Sequence, residues 1–474
     1  MKLIKKTIIP AVALFSLSLT GCSGFLDTTP HDSLNSDNAL ESIQDFDNTT
    51  NSVYESIRSA SYTTEFMLMV PDVMSDNLTL NRDGRLIYNE FADFKFYADT
   101  YGVTGMWSAA YNGILGANEV ITRLDGMEIA EADKKLAANL LAECLALRGM
   151  IHFDLVRLYG RNYQQASDRD LGVTYKKDTE TTFPARNTVK EVYTWLVEDL
   201  ERAKGLMTDD YNTKINYRLN DVYSLVETKK TNDIVDITNN YRLNKKSVCA
   251  ILARVYLTMG ENQLAVTNAT AAIAGDGSDM ADTQGFSKVY TTSMAVPEVL
   301  FRIALKSDDG ILPGNSWGQG ATTSYVGNYS VSCGLRELYS TTDCRNSVIK
   351  MVTSESGDCN MVWKWANGGA SAGLVDIPLI RTAEMYLTRA EANYNLKQYA
   401  PALADLNIVR SKRYSDYEEG NESGESLEKA IQLQRRLELA FEGHRFFDLK
   451  RRHENVERDG LGFLADGTGA PAGD

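Results

Sequence analysis

A chain of 474 residues, 43% hydrophobic and 24% charged, has the composition of an ordinary folded protein and is long enough to bury a large core, as one domain or two. Its formal net charge of −15 argues against nucleic acid and anionic lipid surfaces as partners, because binding phosphate takes concentrated Lys and Arg. Its six cysteines include no C-x-x-C pair, so neither a full disulfide framework nor a zinc site is implied.

The chain opens with Lys2, Lys5 and Lys6 ahead of "IIPAVALFSLSL", an apolar run from Ile8 to Leu19 that is too short to span a bilayer and reads as a secretory signal. Leu19-Thr20-Gly21-Cys22 follows and looks like a bacterial lipobox. Residues 1–21 are then the signal peptide, and Cys22 is the lipid-bearing first residue of the mature chain. Removing the signal takes away the three lysines and leaves the chain more acidic still. No later segment reads as a transmembrane span. "SGFLDTTPHDSLNSDN" has the small and polar residues of a tether, and mixed helical and loop sequence runs on to about Thr104.

Strong helical periodicity begins there. Trp107, Ala110, Tyr111, Ile114, Ala117, Ile121 and Leu124 recur at three- and four-residue intervals and form one apolar face. "KLAANLLAECLALRGMIHFDLVRLYG" makes a second helix that stops at Gly160. Thr188 and Glu191 spell a capping box for a third, with Val189, Val192, Tyr193, Leu196, Val197, Leu200 and Ala203 as its stripe. The polar segment from about Thr208 to Asn244 reads as a loop excursion with a short hairpin. From Lys245, "AILARVYLTMGENQLAVTNATAAIAG" sets Ala253, Tyr256, Gly260, Ala265, Ala269 and Ala272 at the offsets of a tetratricopeptide repeat. "MYLTRAEANYNLKQYAPALADLNIVR" repeats the scheme through Tyr386, Ala390, Ala402, Leu406 and Val409, without the glycine.

Between these two pairs, Gly275 to Asp376 has no helical pattern, holds Trp317, Trp363 and Trp365, and reads as a functional loop region. A last helix opened by Ser426 runs into "ELAFEGHRFFDLKRRH". The expected fold is therefore mainly α, with tetratricopeptide-like helix pairs in an α-α superhelix (about 105–274 and 377–452) and a large irregular, loop-rich elaboration (about 275–376). One domain covers 22–474, ending in a tail over 453–474.

Gly314-Asn315-Ser316-Trp317-Gly318 matches the G-x-S-x-G spelling of a hydrolase nucleophile elbow. An elbow needs a strand entering and a helix leaving. Here Pro313 precedes the motif and Gly, Thr and Ser follow it, so Ser316 reads as a loop residue. Of the four histidines, His31, His152, His444 and His453, a pairing of Ser316 with His444 or His453 keeps the triad's chain order but has no other support. Glu384, Glu391, Glu438, Glu442 and Asp448 stand beside Arg381, Arg389, Arg445 and Arg451 in helical segments and read as ion pairs pinning helices together. Cys144 and Cys249 read as buried thiols, whereas Cys333, Cys344 and Cys359 lie where an oxidising compartment would let two of them pair.

Sugar binding asks for flat aromatics against the apolar faces of pyranose rings and for polar side chains toward hydroxyls. Trp317 has glycines and Asn315 and Gln319 around it, and Tyr325 and Tyr329 follow. An earlier loop supplies Asp76, Asn77, Arg82 and Tyr97. These seven residues are the candidate ligand contacts, with no metal and no cofactor expected.

Several runs resemble the SusD/RagB-like lipoproteins of the Bacteroidetes outer membrane: "CSGFLDTTP", "MWSAAYNGILGANEVI", "CLALRGMIHFDLVRLYG", "PARNTVKEVYTWLVEDLERA", "RLNKKSVCAILARVYL" and, most specifically, "DIPLIRTAEMYLTRAEANY" and "RRLELAFEGHRFFDLKRR". The resemblance covers most of the chain from Cys22 to about Arg452. It departs at "NVERDGLGFLADGTGAPAGD", where family members usually continue to a proline-rich segment and a "QNPGY"-like ending; the chain is either cut short or lacks the segment. The resemblance implies a non-catalytic glycan-binding protein, held on the outer cell surface by its lipid and acting as a lid on a SusC-like TonB-dependent transporter. An oligopeptide-binding member of the same family is the nearest alternative, followed by a surface hydrolase and by a protein-interaction scaffold built on the helix pairs.

Overall fold

The computed structural model describes residues 40–80, 88–95, 97–100, 102–180, 182, 184–208, 215–218, 234–237, 240–291, 296–305, 329–354, 357–365 and 376–458. By its contacts the chain forms two units, 1–45 and 46–474. The described end of the first unit caps a helix: Ser42 donates its N–H and its hydroxyl to Asp45 Oδ2 at 2.8 and 2.7 Å. Helix α1 (Ile43–Arg58) buries Phe46, Thr50, Val53 and Ile57 at the helical spacing. It is followed by a ten-residue π-helical segment, Ala60–Met69, whose residues from Tyr62 onward are all buried. A segment buried all round carries no polar face, which is why the sequence shows no stripe there.

Helices α2 (Val103–Leu124), α3 (Lys134–Tyr159) and α4 (Val189–Leu206) follow, with α3 packed against both neighbours. α3 is apolar and long enough to cross a membrane, yet 89% of its most apolar window lies inside the protein, so it is a core helix. Gly149 lets α4 approach: a Cβ there would stand 3.0 Å from Leu200 Cγ and 3.1 Å from the Leu196 carbonyl oxygen. The Thr188–Glu191 capping box forms as the sequence expects. In the polar excursion after α4, strands β2 (Ile215–Arg218) and β3 (Ile234–Ile237) make the expected hairpin.

Helix α5 (Lys245–Met259) turns at Gly260 into α6 (Asn262–Ala272), and α7 (Thr382–Asn395) turns into α8 (Tyr399–Arg413). α6 packs on α7, joining the two pairs into one stack that α9 (Gly424–Glu438) extends and α10 (Arg445–Arg452) closes. The small residues singled out at the repeat offsets, Ala253, Ala265, Ala269, Ala272, Ala390 and Ala402, are all buried, as tight helix packing requires. The fold is mainly α with tetratricopeptide-like repeats.

The stretch between the pairs is more regular than its sequence suggests. Its described residues carry β4 (Val299–Ile303), β5 (Tyr329–Val331) and a β6–β7 hairpin (Ile349–Ser354, Gly357–Val362), and β4 pairs antiparallel with β8 (Ile377–Arg381). A buried charge network ties this region to the helices. Arg381 on β8 donates to Glu298 Oε1 at 2.6 Å, Glu438 Oε1 at 2.8 Å and Glu442 at 2.6 and 2.9 Å. Arg413 on α8 bridges Glu298 and Glu438 at 2.7 and 2.9 Å. Arg345, ahead of the hairpin, reaches Glu438 at 3.3 Å, and Lys364, just after it, pairs with Glu442. Burial works to raise the Glu438 carboxyl, but the charges of Arg413 and Arg381 overcome it and hold it well below the usual carboxylate range. Cys144, Cys249 and Cys359 are buried thiols, and Cys333 and Cys344 are also free, so no pair forms among the three loop-region cysteines.

Candidate ligand-binding face

The described residues that flank the two candidate stretches, Leu78–Leu80 and Tyr329–Val331, pair with each other. Strand β1 (Leu78–Leu80) pairs antiparallel with β5, in the register Leu78 with Val331, Thr79 with Ser330 and Leu80 with Tyr329. Two stretches some 250 residues apart, each chosen from its own composition, thus meet at a ladder.

Below the ladder the backbone is clamped by guanidinium groups. Arg445, on the first turn of α10, donates through Nε and Nη2 to the two oxygens of Asp76, both at 2.7 Å, and Arg436 approaches the same carboxylate at 3.3 Å. Burial would raise the Asp76 carboxyl, yet the Arg445 hydrogen bonds and the Arg436 charge outweigh it and lower it. Arg436 also donates to Asn77 Oδ1 at 3.0 Å. Ser332 donates its hydroxyl to the Asp76 carbonyl at 3.0 Å and its N–H to the Asn77 carbonyl at 2.9 Å. From the end of the described chain, Arg458 donates to the carbonyls of Val73, Ser75 and Ala92.

The candidate residues therefore divide. Asp76, Asn77 and Tyr329 are buried, and the side chains of Asp76 and Asn77 are turned into the clamp instead of toward solvent. Tyr97 is 72% exposed, on a loop whose N–H to Thr100 Oγ1 hydrogen bond is 2.8 Å. Arg82, Trp317 and Tyr325, with Ser316 and Cys22, lie outside the described residues.

The structure also exposes aromatics outside the candidate set, one of which, Trp107, periodicity assigned to the core. Trp107 heads the expected stripe of α2 but is 36% exposed; the buried stripe starts one residue earlier, at Met106. Its ring lies 4.9 Å from Tyr111 and, edge-on, 5.2 Å from Tyr159. Exposed Phe94 packs at 6.3 Å against Phe446 of α10. A helical count cannot separate Met106 from Trp107. The readable signal was the clustering of Phe94, Tyr97 and Trp107 within fourteen residues.

Two of the histidines and the conspicuous helical acids are engaged in the frame. His444 is buried, and desolvation, reinforced by Arg254 and Arg435, holds it well below the usual histidine value. His152 stacks on Tyr175 at 3.8 Å and accepts from the Lys176 N–H through Nε2 at 3.1 Å. Glu384 pairs with Arg254, Glu391 with Arg451, and Asp448 with Arg435, which bears out the structural reading of these acids. Among the described residues no group of three His, Cys, Asp or Glu side chains is placed to hold a metal ion.

Two family models match: one described as starch-binding and associating with the outer membrane, over residues 24–226, and one described as the SusD family, over 310–467. The chain belongs to the SusD/RagB-like family. It is 23% identical to SusD-like protein P2 of Formosa agariphila, an alignment covering 92% of this chain and 88% of that protein. A SusD superfamily structure from Bacteroides vulgatus superposes with a TM-score of 0.76 at 23% identity, covering 91% and 93% of the two chains. A laminarin-binding SusD-like protein superposes with a TM-score of 0.60 at 21% identity, covering 87% and 91%. SusD family members are non-catalytic carbohydrate-binding proteins. The SusD-like run "RRLELAFEGHRFFDLKRR" is the stretch that supplies Glu438, Glu442, Arg436 and Arg445, so its charges serve the buried network and the clamp under the face.

Proposed function

We propose that this protein captures oligosaccharides at the cell surface and hands them to a SusC-like TonB-dependent transporter, held to the outer membrane by a lipid on Cys22, with no hydrolytic activity of its own. The β1–β5 ladder carries the reading, because it joins the two chain stretches that hold the candidate residues, and Tyr97 and Trp107, further along the first of them, expose their rings. In this assignment Trp317, Tyr325, Arg82, Tyr97 and Trp107 meet the sugar, and Asp76, Asn77 and Tyr329 fix the base from which the loops rise. Ordering a glycine-rich loop such as 314–320 is entropically costly, and a ring presented to a sugar face gains from stacking there. The names of the matching family and of the laminarin-binding relative suggest α- and β-glucans as first ligands to try.

Isothermal titration with malto-oligosaccharides and laminarin oligosaccharides tests the reading. Trp317→Ala and Trp107→Ala should each lower affinity for the bound glucan by at least about tenfold, roughly 1.4 kcal/mol, with the melting temperature nearly unchanged. A large fall in melting temperature with binding intact makes these rings core residues and overturns the assignment. Sugar release during incubation, lost in Ser316→Ala, overturns the non-catalytic part.

A further inference from the structure

A polar cavity of about 420 Å³ opens between the α5–α6 turn and the C-terminal ends of α7 and α10, with α9 as its side wall. None of the residues assigned to the face lines it. α10 separates the two places: Arg445 at its first turn holds Asp76 under the face, while Arg451 and Arg452 at its last turn line the cavity, about 10 Å along the axis at 1.5 Å per residue.

The lining selects a ligand class. Arg451 covers both oxygens of Glu391 at 2.5 and 2.7 Å, and Arg452 covers Glu454 at 2.9 and 3.2 Å, so these charges are already neutralised in pairs. Glu428 makes no ion pair among the described residues; it accepts from Tyr394 Oη at 3.2 Å and from Gln432 Nε2 at 3.5 Å. An anion would meet this carboxylate as well as the two paired ones, and that charge pattern rejects it. What the walls offer instead is the phenol ring of Tyr394, buttressed by the exposed ring of Tyr399 at 5.4 Å, together with the imidazole of His453, the amide of Asn395 and the acceptor of Glu428. A flat aromatic beside amide and carboxylate groups suits a pyranose, whose C–H face and hydroxyls need these two kinds of partner. The volume is at the small end for ligand cavities, which favours a chain end over a run of sugars.

We propose that this cavity is a second carbohydrate site, which takes the terminal pyranose of a neutral glycan independently of the face. That it is second rests on the reading of the face above; its ligand class rests on its own lining.

The test is saturation-transfer NMR and titration of the mature protein with methyl β-glucoside, methyl β-galactoside and methyl α-mannoside. At least one should bind the parent and Trp107→Ala alike, and lose at least about tenfold in affinity in both Glu428→Gln and Tyr394→Leu. Glu428 is half-exposed, so its amide variant keeps the fold, and unchanged thermal melting checks this for Tyr394→Leu. Binding of none of the three sugars, loss in Trp107→Ala alone, or preference for the peptide Gly-Lys-Gly over every sugar overturns the proposal. Failure of the face reading shows separately, as oligosaccharide affinity that neither Trp317→Ala nor Trp107→Ala weakens.

Discussion

Gly443 decides how the end of the helical frame meets its beginning. Its φ of +74° suits glycine, and a Cβ there would stand 1.7 Å from the Met67 carbonyl oxygen, so no other residue fits against the π-helical segment. Its N–H donates to Asp72 Oδ2 at 2.7 Å. Asp72 is fully buried, and that burial pushes its carboxyl up to about 7, against the opposing pull of the Gly443 amide and the Lys364 charge. An acid raised on folding gives stability that is complete below its unfolded value, near 3.8, and is lost as pH rises through about 7. Asp72→Asn keeps an acceptor for Gly443 and removes the titration. Between pH 5.5 and 8.5 the parent should therefore lose about 2 kcal/mol relative to the variant, read as the pH dependence of the difference in guanidinium unfolding free energy. A difference that stays constant over this range means that Asp72 remains ionised throughout.

At the scale of elements, the two helix pairs close in the same way with different residues. After α5, Gly260 at φ +83° donates to the Leu257 carbonyl and Glu261 to the Tyr256 carbonyl, at 3.1 and 2.9 Å. After α7, Lys397 at φ +62° donates to Tyr394 and Gln398 to Asn393, both at 2.8 Å. Both ends are Schellman turns, and Lys397 stands where the repeat pattern has its glycine. A side chain in the left-handed region costs roughly 1–2 kcal/mol, partly offset by the chain entropy that glycine loses on folding. Lys397→Gly should accordingly stabilise the protein by about 0.5–1 kcal/mol in chemical denaturation; no gain, or a loss, shows that the Lys397 side chain itself supports the turn. The helical frame was legible because small and apolar residues recur at fixed offsets. β1 and β5 were not, since three-residue strands paired across some 250 positions leave no local pattern, and neither was the π-helical segment, which has no polar face.

At the scale of the whole molecule, an acidic chain spends part of its charge inside. Arg381, Arg413 and Arg345 sit with Glu298, Glu438 and Glu442 where the loop region joins the helices, and removing one member would leave the others buried and uncompensated, at a cost of about 3–5 kcal/mol. The sequence showed these charges and their likeness to a family motif, but which acid meets which arginine depends on packing between elements far apart in the chain. The candidate site was legible to the same degree: composition found the loops, whereas the burial of Asp76 and Asn77 and the exposure of Trp107 needed the fold. Under the proposed function the protein must stay at the membrane to serve a transporter, and among the described residues the one helix apolar enough to span is buried. In that proposal the holding group is Cys22, whose thiol is what a diacylglyceryl transfer would modify. Each buried CH₂ contributes about 0.8 kcal/mol, so one acyl chain holds a protein marginally and two or more hold it firmly. Cys22→Ala should leave the chain unlipidated and move it from carbonate-washed membranes to the soluble fraction, with glucan affinity unchanged in titration. A variant that remains in the washed membranes as fully as the parent shows that something other than this lipid holds the protein there.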